Sequence, residues 1–205
     1  MTADKTVFIV DDDEAVRESL SWLISSVGFK VEVFASAQAF LDAYQSGRPG
    51  CLVADVRMPG MSGLELQKHL AAQSICLPVI VVTGHGDVQM AVRAMKDGVF
   101  DFIEKPFNDQ VMLDLVNKAV LECERRRNVL TERHAVQALL DLLTPRERQV
   151  MERIVAGNTN KQIAHGLDIS DKTVEAHRAK VMEKMAAASF AELIRKVMIL
   201  NGNSA

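Results

Sequence analysis

The sequence predicts a doubly wound α/β domain with a five-stranded parallel sheet, joined by a helical linker to an all-α four-helix domain with a helix-turn-helix. Three observations point there. Short β-rich apolar runs in the front half are each followed by a segment of helical period, the stretch from Asn108 to Leu143 lacks proline and glycine, and the last sixty or so residues break into short capped amphipathic helices.

The five runs are Thr6 to Val10, Lys30 to Phe34, Cys51 to Asp55, Pro78 to Thr83 and Phe100 to Ile103. Val79-Ile80-Val81-Val82 is wholly apolar, which suits a strand covered by helices on both faces. Between the runs, Asp13 and Ser36 stand as N-caps, and Ser62 with Glu65 forms a capping box. The stretch from Asn108 to Leu143 reads as the last helix of the first domain running on into a linker. Arg127 and His134 interrupt its apolar line through Val116, Val120, Cys123 and Leu130, so no isolated coiled coil is expected.

Beyond it, Thr144-Pro145-Arg146-Glu147 combines a cap, a first-turn proline and a capping-box glutamate. Thr159 with Gln162 and Ser189 with Glu192 repeat the device, and Ser170 precedes another helix. The short Asp168-Ile169 link between the middle pair marks the helix-turn-helix. The expected organisation is therefore residues 1–120, a linker over 121–143 and a helical domain over 144–205.

Composition narrows the function. No run approaches the roughly 18 apolar residues of a membrane span, and the apolar run near the start is shorter than the 7–15 residues or so of a signal-peptide core, so cytoplasmic residence is expected. Cys51, Cys76 and Cys123 show neither disulfide nor zinc spacing and read as buried or incidental thiols. Residues 1–120 hold 16 acidic and 10 basic side chains, net −6, whereas residues 121–205 hold 11 and 14, net +3. The basic rear is compatible with a polyanion.

In a doubly wound sheet the carboxyl ends of the strands share one edge, and ligands bind there. Asp11-Asp12-Asp13, Asp55, Thr83 and Lys105-Pro106 all stand at predicted strand ends. Clustered carboxylates repel, and a hard divalent cation such as Mg²⁺ relieves them. Asp55 then reads as a nucleophile toward phosphorus, Thr83 as a hydrogen-bond donor and Lys105 as counter-charge.

These landmarks carry a resemblance. Val10-Asp11-Asp12, Asp55-Val56-Arg57-Met58-Pro59-Gly60, Val82-Thr83-Gly84 and Glu104-Lys105-Pro106-Phe107 resemble, in order, the receiver domain of two-component response regulators. The resemblance implies that Asp55 accepts a phosphoryl group from a sensor histidine kinase and that Asp12 ligates Mg²⁺ directly. It implies that Asp11 acts more through water and that Arg57 lends its backbone carbonyl, with a cis bond between Lys105 and Pro106. Thr83 and Phe102 would be the switch residues, Phe102 equally fitting an ordinary core position. The Gly84-His85-Gly86 loop has the glycines to move, and Arg57 and His85 stand where they would restrict attacking water.

The rear resembles the LuxR-type DNA-binding domain through Leu143 to Arg148, Gly157, Asn160-Lys161-Gln162-Ile163-Ala164, Leu167, Ile169-Ser170, Lys172-Thr173-Val174-Glu175 and His177-Arg178. The helix from Asp171 would enter the major groove. Val174, His177, Val181 and Met185 would face the bundle. Lys172, Glu175, Ala176 and Ala179 would face DNA, with Thr173, Arg178 and Lys180 also in reach of phosphates. The last helix, through Leu193, Ile194, Val197 and Met198, either supplies a homodimer contact or closes the core. Together these features identify a member of the LuxR-type (NarL/FixJ) response regulators. Expected partners are a sensor histidine kinase, double-stranded promoter DNA, RNA polymerase and a second copy of the chain, with no membrane. Two other readings stay open at this point: a Mg-dependent phosphatase or phosphotransferase using Asp55, and a DNA-binding dimer independent of phosphorylation.

Overall fold

The computed structural model describes residues 5–84 and 88–200, and the chain divides into two compact units between Arg127 and Asn128. The first unit alternates strands and helices: β1 (Thr6–Val10), α1 (Glu14–Ser26), β2 (Lys30–Phe34), α2 (Ala37–Ala43), β3 (Gly50–Asp55), α3 (Gly63–Ala72), β4 (Val79–Thr83), α4 (Val88–Lys96) and β5 (Asp101–Glu104). Helix α5 (Asp109–Asp141) follows, and its 33 residues span the helical stretch expected from the sequence.

All strand pairings are parallel, in the order β2-β1-β3-β4-β5. Successive strand residues point to opposite faces. Phe8, Val10, Leu52, Ala54 and Val81 pack on one side with Phe40, Leu66 and Leu70 of α2 and α3. Val7, Ile9, Val53, Ile80 and Val82 pack on the other with Leu20 and Ile24 of α1 and Met112 and Val116 of α5. The sheet is therefore covered twice, which explains the nearly unbroken apolar strands.

Strand limits shift slightly from those read in the sequence. β3 starts at Gly50, paired with Thr6, at a spot so tight that an added Cβ would stand 1.8 Å from the Thr6 carbonyl oxygen. β4 starts after Pro78, which has no N–H to donate. β5 runs from Asp101 to Glu104, with Phe100 tied to the Val79 carbonyl just ahead of it.

The second unit contains α6 (Pro145–Val155), α7 (Asn160–Leu167), α8 (Asp171–Lys184) and α9 (Phe190–Leu200). Capping boxes at Thr144 and Thr159 and the Ser170 cap all form. At α9 the device is displaced: Ser189 accepts from the Glu192 N–H, while Glu192 reaches back to the Ala188 N–H at 2.9 Å. Asp168, with φ of 52°, makes the left-handed turn between α7 and α8, a conformation that aspartate tolerates. Val150, Ile154, Ile163, Val174, Val181, Met185 and Leu193 form the core, with Val197 packed against it. Ile194 is half-buried, and Phe190 and Met198 of α9 stay exposed. No helix among the described residues is long and apolar enough to cross a membrane.

Candidate functional site

Strand order reverses between β1 and β3, so the crevice at their carboxyl ends is where an open α/β sheet binds ligands. Asp11 follows β1 and Asp55 ends β3, and both are buried, at 3% and 8% exposure. The Lys105 ammonium bridges them, Nζ donating to Asp11 Oδ2 at 2.9 Å and to Asp55 Oδ1 at 2.8 Å. Burial works to lower the lysine's pKa, but the hydrogen bonds to Asp55 and Asp11 outweigh it and hold the ammonium above its ordinary value.

Each group is fixed by its backbone surroundings. The Lys105 N–H donates to the Thr83 carbonyl at 2.7 Å, and the Lys105–Pro106 bond is cis. Asp55 Oδ2 accepts from the Arg57 N–H at 2.6 Å and Asp11 Oδ1 from the Asp13 N–H at 2.9 Å. Asp13 in turn caps α1. Arg17, which sequence reasoning did not single out, donates to the Asp11 and Asp12 carbonyls at 2.8 and 2.9 Å and so fixes the loop that carries both.

Of the remaining residues expected here, Thr83 is buried at the end of β4, and Phe102 is half-buried beside the core, in register with Val81. Asp12 is exposed, as is the side chain of Arg57, whose backbone faces Asp55. His85 and Gly86 lie outside the described residues, as do residues 1–4 and 201–205.

Among the described residues no group of three or more His, Cys, Asp or Glu side chains is placed to hold a metal ion. Two buried carboxylates sharing one cation nevertheless turn hard oxygens toward a common point. That donor set fits magnesium, which takes one or two carboxylates and keeps water elsewhere. Chemically, the crevice offers a carboxylate nucleophile with a fixed ammonium beside it, an arrangement suited to an incoming group rich in negative charge.

The second candidate surface is α8. Lys172, Glu175, Ala176, Ala179 and Lys180 are exposed, Thr173 and Arg178 half-buried, and Val174, Val181 and Met185 fully buried on the opposite side. His177 is half-buried with Nδ1 unpartnered. Contacts that left no pattern in the sequence set α7 and α8 in place. Glu147 of α6, buried, accepts from Lys184 at 2.7 Å, and that bond, with the Thr144 N–H, holds its carboxyl down at about 2. Lys196 of α9 donates to the Met185 and Ala186 carbonyls at 3.0 and 2.6 Å at the end of α8. Arg146 donates to the Leu167 carbonyl at the end of α7.

Comparison with known proteins adds two family matches: the response regulator receiver domain over residues 7–117, and the luxR family of bacterial regulatory proteins over residues 141–197. The chain is 46% identical over 198 residues to the transcriptional regulatory protein FixJ of Bradyrhizobium diazoefficiens, covering 97% of both chains. It is 48% identical to FixJ of Rhizobium meliloti, covering 95% of this chain and 96% of that one. Among solved structures it resembles the response regulator StyR, with a TM-score of 0.83 at 44% identity over 95% of this chain and 98% of that one. Full-length FixJ from B. japonicum gives a TM-score of 0.60 at 45% identity, over 99% and 100%.

Proposed function

Since the chain belongs to the LuxR-type response regulators, with a receiver domain and a DNA-binding domain like those of FixJ, we propose that phosphorylation of Asp55 by a sensor histidine kinase turns it into a promoter-binding activator. In this reading residues 1–120 receive the signal, 121–143 link and 144–205 bind DNA. The observation that carries it is the Lys105 ammonium between Asp11 and Asp55.

Asp11, Asp12, Asp55 and the Arg57 carbonyl would hold Mg²⁺, which supplies positive charge to the phosphoryl oxygens when bound. Asp55 Oδ1 attacks phosphorus and the histidine nitrogen of the kinase leaves with the bonding pair. Lys105 balances the charge gained on the carboxylate. Thr83 and Phe102 relay the change, Thr83 by turning its hydroxyl toward the new group and Phe102 by moving further into the core it already touches.

Phosphorylation then favours a homodimer, which presents two copies of α8 to half-sites about one helical turn apart. Lys172, Thr173, Arg178 and Lys180 hold phosphates, Glu175 accepts from a cytosine amino group, and Ala176 and Ala179 allow close approach. The bound dimer recruits RNA polymerase. The extent of similarity to FixJ favours a FixL-like kinase and control of nitrogen-fixation or oxygen-limited genes, acting in the cytoplasm and turning over no substrate of its own.

The test is to incubate wild type and Asp55→Asn with a small phosphodonor and Mg²⁺, then follow mass, dimerisation and binding to promoter DNA. Wild type should gain one phosphoryl group, dimerise and bind more tightly. Equal DNA affinity in all four states would overturn the switch, and steady hydrolysis of generic phosphate esters would favour a phosphatase.

A further inference from the structure

The loop between β1 and α1 carries two carboxylates that are held very differently. Asp11 is buried, and its carboxylate accepts from Lys105 at 2.9 Å and from the Asp13 N–H at 2.9 Å. Asp12 is exposed, and among the described residues no hydrogen bond or ion pair holds its carboxylate. The path of the main chain therefore decides which way that side chain leaves the loop. Arg17 fixes the path, a single Nη1 donating to the Asp11 carbonyl at 2.8 Å and to the Asp12 carbonyl at 2.9 Å.

Helix α1 alone would not favour a cation at this position. Arg17 is its fourth residue, in the turn whose free N–H groups and macrodipole attract negative charge. Asp12, Asp13, Glu14 and Glu18 are close to it in sequence, yet among the described residues none of them pairs with it. Both hydrogens of Nη1 go to main-chain oxygens instead. The Arg17 N–H donates to the Asp13 carbonyl at 3.1 Å, so the side chain ties the loop to the first turn of the helix. A planar guanidinium presents its donors in a fixed fork and loses little rotamer freedom per bond formed.

We propose that Arg17 is the positioning residue of the metal loop: it orders the main chain of Asp11 and Asp12 before Mg²⁺ binds and thereby sets the affinity of the site. The inference rests on the reading of the crevice as a site for Mg²⁺ and a phosphoryl group. Charge and geometry act here in opposite directions. As a cation beside the loop Arg17 repels Mg²⁺, so a role through charge alone would make its removal tighten binding. As a clasp it restricts main-chain freedom that would otherwise be lost when the cation binds, so its removal weakens binding. The geometric effect prevails, since Arg17 is only half-buried and water and salt screen its charge, whereas both hydrogen bonds are direct.

The experiment titrates Mg²⁺ into full-length wild type, Arg17→Met and Arg17→Lys, following backbone amide NMR shifts, with circular dichroism reporting the fold of each. Arg17→Met should bind about tenfold more weakly than wild type, the scale of leaving one residue's backbone to be ordered on binding. Arg17→Lys keeps the charge but not the fork, and should recover part of the loss while staying about threefold weaker than wild type. Phosphorylation by acetyl phosphate should be slow in Arg17→Met at low Mg²⁺ and close to wild type once Mg²⁺ saturates. Tighter or unchanged Mg²⁺ binding by Arg17→Met would overturn the proposal, as would a rate deficit that persists at saturating Mg²⁺. If Arg17→Met does not fold, Arg17→Lys decides, and binding as tight as wild type overturns the proposal. A wild type that neither binds Mg²⁺ nor gains a phosphoryl group on Asp55 would instead sink the reading of the crevice itself.

Discussion

Lys105 and Asp55, fifty positions apart in the chain, meet with Nζ 2.8 Å from Oδ1, and the same ammonium holds Asp11 at 2.9 Å. One cation thus keeps two buried carboxylates from repelling each other. Replacing Lys105 by Gln leaves them facing without a counter-charge. The expected loss is about 2 kcal/mol, below the range for a fully buried pair because the lysine side chain is 26% exposed. Urea unfolding checks this, with one further requirement: millimolar Mg²⁺ should restore part of the loss in Lys105→Gln. A variant as stable as wild type without the metal would mean that the carboxylates are not strained against each other.

The Glu147–Lys184 pair predicts a pH dependence of the DNA-binding unit. Its carboxyl is held at about 2 against an ordinary 4.5, first by the Lys184 hydrogen bond and then by the Thr144 N–H. A depressed acid stabilises the fold fully above its ordinary value, and the contribution fades as pH falls from 4.5 toward 2. Hydrogen exchange on α6 and α8 peptides of wild type and Glu147→Gln reads it. The variant should be less protected at pH 6, and the gap should narrow at pH 3. An equal gap at both would assign the role of Glu147 to shape rather than charge.

Residues whose signal is local were legible in the sequence. Ser36, Ser62, Thr144, Thr159 and Ser170 all cap the helices their spacing announced, because a cap involves only the next three residues. Asp11, Asp55, Thr83 and Lys105 were legible because each follows an apolar run, and a parallel sheet brings such ends to one edge. Contacts that join distant positions were not. Glu147 to Lys184 spans 37 residues and Cys123 to Cys76 spans 47, so no periodicity links the partners. Asp101 and Glu104 hid the limits of β5, since charged ends do not read as strand.

On α8 the exposed lysines and the exposed glutamate should behave differently. Lys172→Ala and Lys180→Ala should weaken binding to every DNA sequence and each reduce the slope of log affinity against log salt by about one, as loss of one phosphate contact requires. Glu175→Gln should leave that slope unchanged but alter the ranking of sequences at one base pair by about 1–3 kcal/mol. Fluorescence titrations at several salt concentrations separate the two. A salt slope that falls with Glu175→Gln, or a sequence preference that changes with Lys172→Ala, would reverse the assignment of base and phosphate contacts.

Gly63 opens α3, and a methyl group there would stand 2.3 Å from the Asp55 carbonyl oxygen, 3.1 Å from its carbonyl carbon and 3.3 Å from the Ala54 Cβ. The first two neighbours are backbone of the strand that carries Asp55, so they cannot swing aside as a flexible side chain would. Gly63→Ala must therefore move either the first turn of α3 or the end of β3. The expected cost is about 1–3 kcal/mol, as for other overpacked sites. Moving β3 would also shift Asp55 away from Lys105, where displacement of about 1 Å costs roughly a hundred-fold in rate. Phosphorylation by a small donor should thus slow far more in Gly63→Ala than in Ser62→Ala, which removes the cap of the same helix without touching the strand. Similar slowing in both would place the effect in α3 stability rather than in the position of Asp55.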